Sequence, residues 1–160
     1  AARLITEALP KALEEPTKSA HRERISCGAY LAGQTQSIAS TGLIHSMSHA
    51  LGSLHGLPHA NATTLCLIPG LRHNATIQPE LYEALARDIG YSTMDELIEC
   101  FGSILHSATL PGTLGDALEE PLNKKDLQIL SESASGDACL KTNPAKTTSD
   151  EIFSIFESMA

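Results

Sequence analysis

The sequence predicts an all-α fold, and three observations carry that prediction. Valine is absent, and aromatic residues make up only 4% of the chain while Ala, Leu, Ser and Glu dominate. No stretch alternates polar and apolar residues between turn signals, as a half-buried strand would. Apolar residues recur instead at spacings of three and four, the period of a helix with one buried face.

Leu4, Ile5, Leu9 and Leu13 define a first helix, which Pro10 is expected to kink and Pro16 to end. Over 21–40, Ile25, Ala29, Tyr30, Ala32 and Gly33 form a second helical pattern. Its small side chains would let a neighbour approach closely, so it is expected to be central and buried. After the break at Thr41-Gly42, helical period resumes over 43–51; residues 52–58, with two glycines and Pro58, are expected as a loop, and 62–71 as a further helix. Shorter amphipathic helices follow over 79–89, stopped by Gly90, and over 93–106, 124–133 and 149–159. Thr93 with Glu96 and Thr148 with Glu151 fit a capping box, in which a hydroxyl and a carboxylate satisfy each other's backbone donors in the first turn. Asn123 stands where a cap for the helix over 124–133 belongs. No internal repeat or low-complexity tract interrupts this series.

A chain of 160 residues, 42% of them hydrophobic, has enough apolar material for one globular domain over 1–160. Its net charge of -8, from 19 acidic and 11 basic residues, argues against a nucleic-acid partner. No apolar run approaches the roughly 20 residues needed to cross a bilayer, so no membrane partner is expected and the chain reads as soluble; a cytoplasmic location is a separate expectation. Cys27, Cys66, Cys100 and Cys139 are widely spaced with no CxxC pair, which favours reduced, buried thiols over a disulfide framework. The triplets at Asn61 and Asn74 match the glycosylation pattern, but such triplets arise readily by chance. The chain opens at Ala1 inside what reads as a helix already under way, so it is expected to be a fragment.

Chemistry concentrates in one segment. Four of the seven histidines, His45, His49, His55 and His59, fall between positions 45 and 59. On a helix His45 and His49 share a face, and a following loop can return His59 toward them, so a three-imidazole metal site is physically available. Imidazole suits iron, zinc, copper or nickel, and spacing alone does not name the metal. The same spacing also fits ordinary helix-face histidines satisfied by backbone carbonyls. His73 and His106 stand alone, His21 sits in a charged stretch with Arg22, Glu23 and Arg24, and none of the three is assigned a role.

The string from Gly42 to Pro69 resembles the iron-containing (group III) alcohol dehydrogenases. Their C-terminal helical domain carries Gly-x-x-His, a second His four residues on, Leu-Gly, a short loop, Pro-His, a small residue, and Leu-x-Pro near the end of the next helix. Here these are Gly42, His45, His49, Leu51-Gly52, Pro58-His59, Ala60 and Leu67-Ile68-Pro69. Weaker similarity runs through Leu4 to Pro10, Gly28 to Gly33, Ile89-Gly90 and Asn143-Pro144, and so spans the chain. The resemblance implies the bundle-like C-terminal domain of the dehydroquinate synthase-like fold.

It further implies that His45 and His59 bind a divalent metal, usually Fe(2+) and sometimes Zn(2+), while His49 lies close to substrate and to the nicotinamide of NAD or NADP. Two more metal ligands, an Asp and a His four residues after it, and a glycine-rich dinucleotide-binding domain would lie upstream of Ala1. The isolated chain is therefore expected to be inactive, and the intact protein to form a homo-oligomer. The implied reaction is metal-assisted hydride transfer between a small alcohol and its aldehyde or ketone, with His49 positioning substrate or relaying a proton to solvent. Pro58-His59-Ala60 and Gly28 to Gly33 are closer to the maleylacetate reductase branch, which reduces an unsaturated oxo-diacid. Ser48-His49 and Asn61-Ala62 are closer to the ordinary alcohol dehydrogenases. The rival reading is a non-catalytic helical module whose histidines hold a structural metal or serve packing.

Overall fold

The computed structural model describes residues 1–160, all of whose regular structure is helical. In chain order the elements are α1 (Ala2–Glu14), α2 (Ser19–Ala39), α3 (Leu43–His55), α4 (His59–Ile77), α5 (Pro79–Ile89), α6 (Met94–Ser107), α7 (Leu114–Ala117), α8 (Lys124–Ser135), a 3-10 turn (Ala138–Thr142) and α9 (Ser149–Met159). No helix is long and apolar enough to cross a membrane. Two compact units form, one of Ala1–Ser40 with Glu80–Thr109, the other of Thr41–Pro79 with Leu110–Ala160.

In the first unit α1 packs on α2 and on α6. Helix α1 continues through Pro10 and ends at Glu14, two residues before Pro16. The buried apolar residues are Ala8 of α1, Tyr82, Ala86 and Ile89 of α5, and Met94, Leu97, Ile98 and Ile104 of α6. Helix α2 corrects the expectation of a central, buried element: Gly28 is its only buried residue, and Tyr30, Leu31 and Ile38 are exposed. Its apolar residues do not gather into a stripe. Small side chains permit close approach without requiring it, and α1 takes up only the one face that carries Gly28.

The second unit is built around α3, which packs against α4, α8 and the 3-10 turn, while α9 lies against α8 and α4. Leu43, Met47 and Leu51 of α3 meet Leu65 and Cys66 of α4, Leu130 of α8 and Phe156 of α9 in a continuous core. At Gly70 a Cβ would stand 2.6 Å from Ile44 Cγ1, so α3 and α4 approach here as only glycine allows.

Two boundaries differ from expectation. Helix α3 runs through Gly52 to His55 and stops at Gly56, whose φ of +68 suits a residue without a side chain. The expected loop over 52–58 therefore shrinks to Gly56, Leu57 and Pro58. An interior glycine costs about 1 kcal/mol, less than the packing that holds the turns before it. Helix α4 extends well past Leu71 and carries Pro69 inside it, because Cys66, Gly70 and Asn74 are buried on either side and fix the helix across the missing hydrogen bond.

Caps follow the predicted chemistry. Asn123 with Asp126 and Thr148 with Glu151 form complete capping boxes, as do Thr113 and Asp116 at the unforeseen α7. Thr93 accepts from Glu96 N–H, but the Glu96 carboxylate turns to Ser92 N–H, leaving half a box. All four cysteines are free, and only Cys66 is buried, which pushes its thiol up to about 12. Cys27 is exposed and Cys100 and Cys139 are half-buried, correcting the expectation of uniformly buried thiols.

Candidate functional site

The three histidines singled out in sequence come together within the second unit. His45 and His49 lie one turn apart on α3, and the sharp stop at Gly56 returns the chain so that His59 opens α4. The ring centroids of His45 and His49 are 6.0 Å apart, those of His45 and His59 5.4 Å, and those of His49 and His59 5.6 Å. His45 is half-buried and His59 exposed, so the cluster opens to solvent. Burial first, and then the neighbouring His59 and His49, push the His45 imidazole below its ordinary value, against a weaker pull from Asp137. That favours the neutral form, the one that ligates a metal.

The start of α3 is held from far away in sequence. Leu43 N–H donates to Asn143 Oδ1 at 3.1 Å, a cap supplied from 100 positions downstream. Asn143 also pairs with Asn74 of α4: Asn74 Nδ2 donates to Asn143 Oδ1 at 3.0 Å, and Asn143 Nδ2 donates to Asn74 Oδ1 at 2.8 Å. Asn143 Nδ2 further donates to Ala145 C=O at 2.7 Å. One side chain thus ties together the two helices that carry the histidines. Asn74 is buried in this pairing and is no glycosylation acceptor. Thr142 adds a hydrogen bond from its hydroxyl to Thr41 C=O.

Two residues that sequence reasoning missed stand beside His49. Its Nδ1 lies 3.0 Å from Asp137 Oδ2 and 3.9 Å from Cys139 Sγ. Asp137 Oδ1 accepts Cys139 N–H at 2.7 Å, capping the 3-10 turn. Burial works against the Asp137 carboxylate, but hydrogen bonds from Cys139 N–H, His49 and the Cys139 thiol outweigh it and hold the carboxyl below its usual range. The same burial raises the Cys139 thiol, with Asp137 adding to the rise against a hydrogen bond involving Thr41. A Gly136-Asp137 turn followed by Cys139 was visible as a side-chain-to-backbone turn. Its contact with a histidine 88 positions away was not.

The other histidines stand apart in role. His55, expected in a loop, occupies the last turn of α3 and lines a cavity of about 500 Å³ with residues 117–122 and Asp126. His73 Nε2 lies 3.2 Å from Thr147 Oγ1, and His21 Nε2 3.5 Å from Glu15.

Comparison with known proteins identifies the family. The model of the Fe-containing alcohol dehydrogenase family, C-terminal, matches residues 1–160. The chain is 30% identical to NADPH-dependent butanol dehydrogenase of Clostridium saccharobutylicum over 96% of its own length and 41% of that protein's. It is 28% identical to lactaldehyde reductase of Escherichia coli over 84% and 36% of the two lengths. A 1,3-propanediol oxidoreductase structure superposes with a TM-score of 0.88 at 28% identity, covering 99% of this chain and 43% of that one. Sulfoacetaldehyde reductase from Bifidobacterium kashiwanohense, solved in complex with NAD+, matches with the same score at 25% identity, covering 99% of this chain and 41% of that one. The chain thus spans about two fifths of the length of these relatives. From its first residue to its last, it belongs to the Fe-containing alcohol dehydrogenase family and corresponds to that family's C-terminal part.

Proposed function

We propose that these 160 residues serve as the metal-binding half of a metal-dependent, NAD(P)-linked oxidoreductase that interconverts a small alcohol and its aldehyde or ketone. The observation that carries this reading is the convergence of His45, His49 and His59, from two helices, on one solvent-open face. The names of the relatives support the reaction class and the nicotinamide cofactor: one is NADPH-dependent, and one was solved with NAD+.

His45 and His59 would hold the metal, iron or zinc, and their imidazole donors suit either. Further ligands and the dinucleotide-binding fold would come from outside this chain, as the resemblance implies, so the chain alone offers half a coordination shell and no turnover. When bound, the metal supplies Lewis acidity toward the substrate oxygen. His49 serves the substrate side. The Asp137 carboxylate accepts from its Nδ1–H and so fixes both the ring plane and the tautomer, leaving Nε2 to exchange a proton with substrate or solvent. Asn143 and Asn74 keep α3 and α4 in register so that the donors of His45 and His59 stay on the same face. Ala60, one residue beyond His59, and the segment Gly28 to Gly33 favour an oxo-diacid substrate of the maleylacetate type as a second reading of the same chemistry.

The test uses the 160-residue chain and the longer polypeptide that carries it with a nucleotide-binding domain. Each is prepared metal-free, reconstituted with ferrous iron or zinc, and assayed for NAD(P)H oxidation with short aldehydes and with maleylacetate. Metal-dependent turnover by the longer polypeptide alone supports the proposal, and the preferred carbonyl separates the two substrates. A folded longer polypeptide inert with every metal and carbonyl would leave the helical module as the better account.

A further inference from the structure

His49, Asp137 and Cys139 bring together three different donor types, and this set does not depend on the oxidoreductase reading. The ligand atoms of the three residues, an imidazole nitrogen, a carboxylate oxygen and a thiol sulfur, all lie within 4.8 Å of one another. His49 comes from α3, whereas Asp137 and Cys139 bracket the first residue of the 3-10 turn that packs on α3 in the same compact unit.

The arrangement is built rather than incidental. Asp137 is anchored by Oδ1, which accepts Cys139 N–H, and presents Oδ2 to His49. The backbone link that fixes the carboxylate also fixes the residue bearing the thiol. A tetrahedral ion with bonds of about 2.0 to 2.3 Å sets its donors roughly 3.3 to 3.8 Å apart. The observed separations of 3.0 Å, His49 Nδ1 to Asp137 Oδ2, and 3.9 Å, His49 Nδ1 to Cys139 Sγ, bracket that range. The third pair, Asp137 Oδ2 and Cys139 Sγ, lies within 4.8 Å, so the three donors already stand around one small space. The His49 side chain is 41% exposed and that of Asp137 22%, which leaves an entry path and an open fourth position for water.

The geometry points to a binding site for a borderline-soft divalent cation of the zinc class, held by His49 Nδ1, Asp137 Oδ2 and Cys139 Sγ. Sulfur with imidazole selects zinc or cobalt over magnesium or calcium, whose preferred donors are all oxygen. On binding, the ion takes the place of the Nδ1 hydrogen that Asp137 accepts in the empty site, His49 carries its ring hydrogen on Nε2 instead, the Cys139 thiol gives its proton to solvent, and the sulfur lone pair forms the new bond. One proton is released per ion and nothing is oxidised or reduced. The donors differ from the His45 and His59 pair, although His49 stands within 6.0 Å of both rings, centroid to centroid. Occupancy removes His49 from proton work, so zinc in excess would oppose the very turnover that metal at His45 and His59 supports.

The experiment is an anaerobic titration of the metal-free chain with Co(II), read by absorption, followed by displacement with Zn(II). The site predicts a thiolate-to-cobalt charge-transfer band in the near ultraviolet that saturates at one equivalent and is bleached by zinc. Cys139→Ser should abolish the band, and Asp137→Asn should weaken cobalt binding at least tenfold, with circular dichroism confirming that both variants are folded. The double variant His45→Ala/His59→Ala should keep the band, so failure of the reading under Proposed function and failure of this site are distinguishable. No band in the wild type, or a band that survives Cys139→Ser, would overturn the site. Loss of the band in the folded double variant would overturn it as a separate donor set.

Discussion

Asp137 Oδ2 stands 3.0 Å from Nδ1 of His49, a residue 88 positions earlier in the chain. The contact turns a half-exposed imidazole into an oriented one, because the carboxylate accepts only when the ring carries its hydrogen on Nδ1. Asp137→Asn keeps the size of the side chain but offers an amide that satisfies either tautomer. In the longer polypeptide of the proposed oxidoreductase this substitution should lower kcat at least tenfold while leaving the affinity for NAD(P)H unchanged. Steady-state kinetics with an independent cofactor titration checks the split, and a parallel loss of both would point to a folding defect instead.

Asn143→Ala removes the cap on α3 and leaves the Asn74 side chain buried without its partner. Buried polar groups stripped of partners cost about 1 to 3 kcal/mol, so urea unfolding should show a loss of at least about 2 kcal/mol. Metal affinity should fall with it, since α3 and α4 lose the tie that keeps His45 and His59 in register.

Gly70→Ala tests the close approach of the same two helices. A methyl group there would sit 2.6 Å from Ile44 Cγ1, too close for both to stay in place. Overpacking of this kind costs about 1 to 3 kcal/mol, against the small gain that Ala brings inside an unobstructed helix. The melting temperature should drop, and the direction is the informative part.

Acid stability should report the α9 cap. Thr148 N–H and the Thr148 hydroxyl both donate to Glu151 Oε2 at 2.7 Å and hold its carboxyl below the ordinary value of 4.5, outweighing a small opposing effect of burial. A depressed folded-state value means that the contribution is fully present above the unfolded value and is lost as pH falls through the folded one. The stability difference between wild type and Glu151→Gln, present near neutral pH, should vanish once the pH falls below the carboxylate range. Urea midpoints across that range measure it.

Much of the fold was legible because helical period and caps are local signals. Pro79–Ile89 and Ser149–Met159 carried both, and their ends fall where Gly90 and the Thr148 box put them. The run from Gly52 to Leu71 was harder, because Gly52 reads as a break where tertiary packing carries the helix through it. Helix α2 misled for the opposite reason: small residues describe what a face can accept, not what is there. His45, His49 and His59 were visible because they are close in sequence and at helical spacing. Asp137, Cys139 and Asn143 reach the site from one turn more than 80 positions downstream, and no period or spacing records such a contact. Asn143-Pro144 entered the reading only as part of a resemblance, and its work as a helix cap is a matter of three-dimensional structure.

The most direct measurement of the central claim is metal content together with metal-dependent NAD(P)H turnover in the longer polypeptide, compared between wild type and His59→Ala. The account predicts that wild type turns over only when loaded, and that folded His59→Ala holds one ion fewer than wild type after gel filtration and does not turn over. A His59→Ala protein with wild-type metal content and wild-type turnover would contradict it.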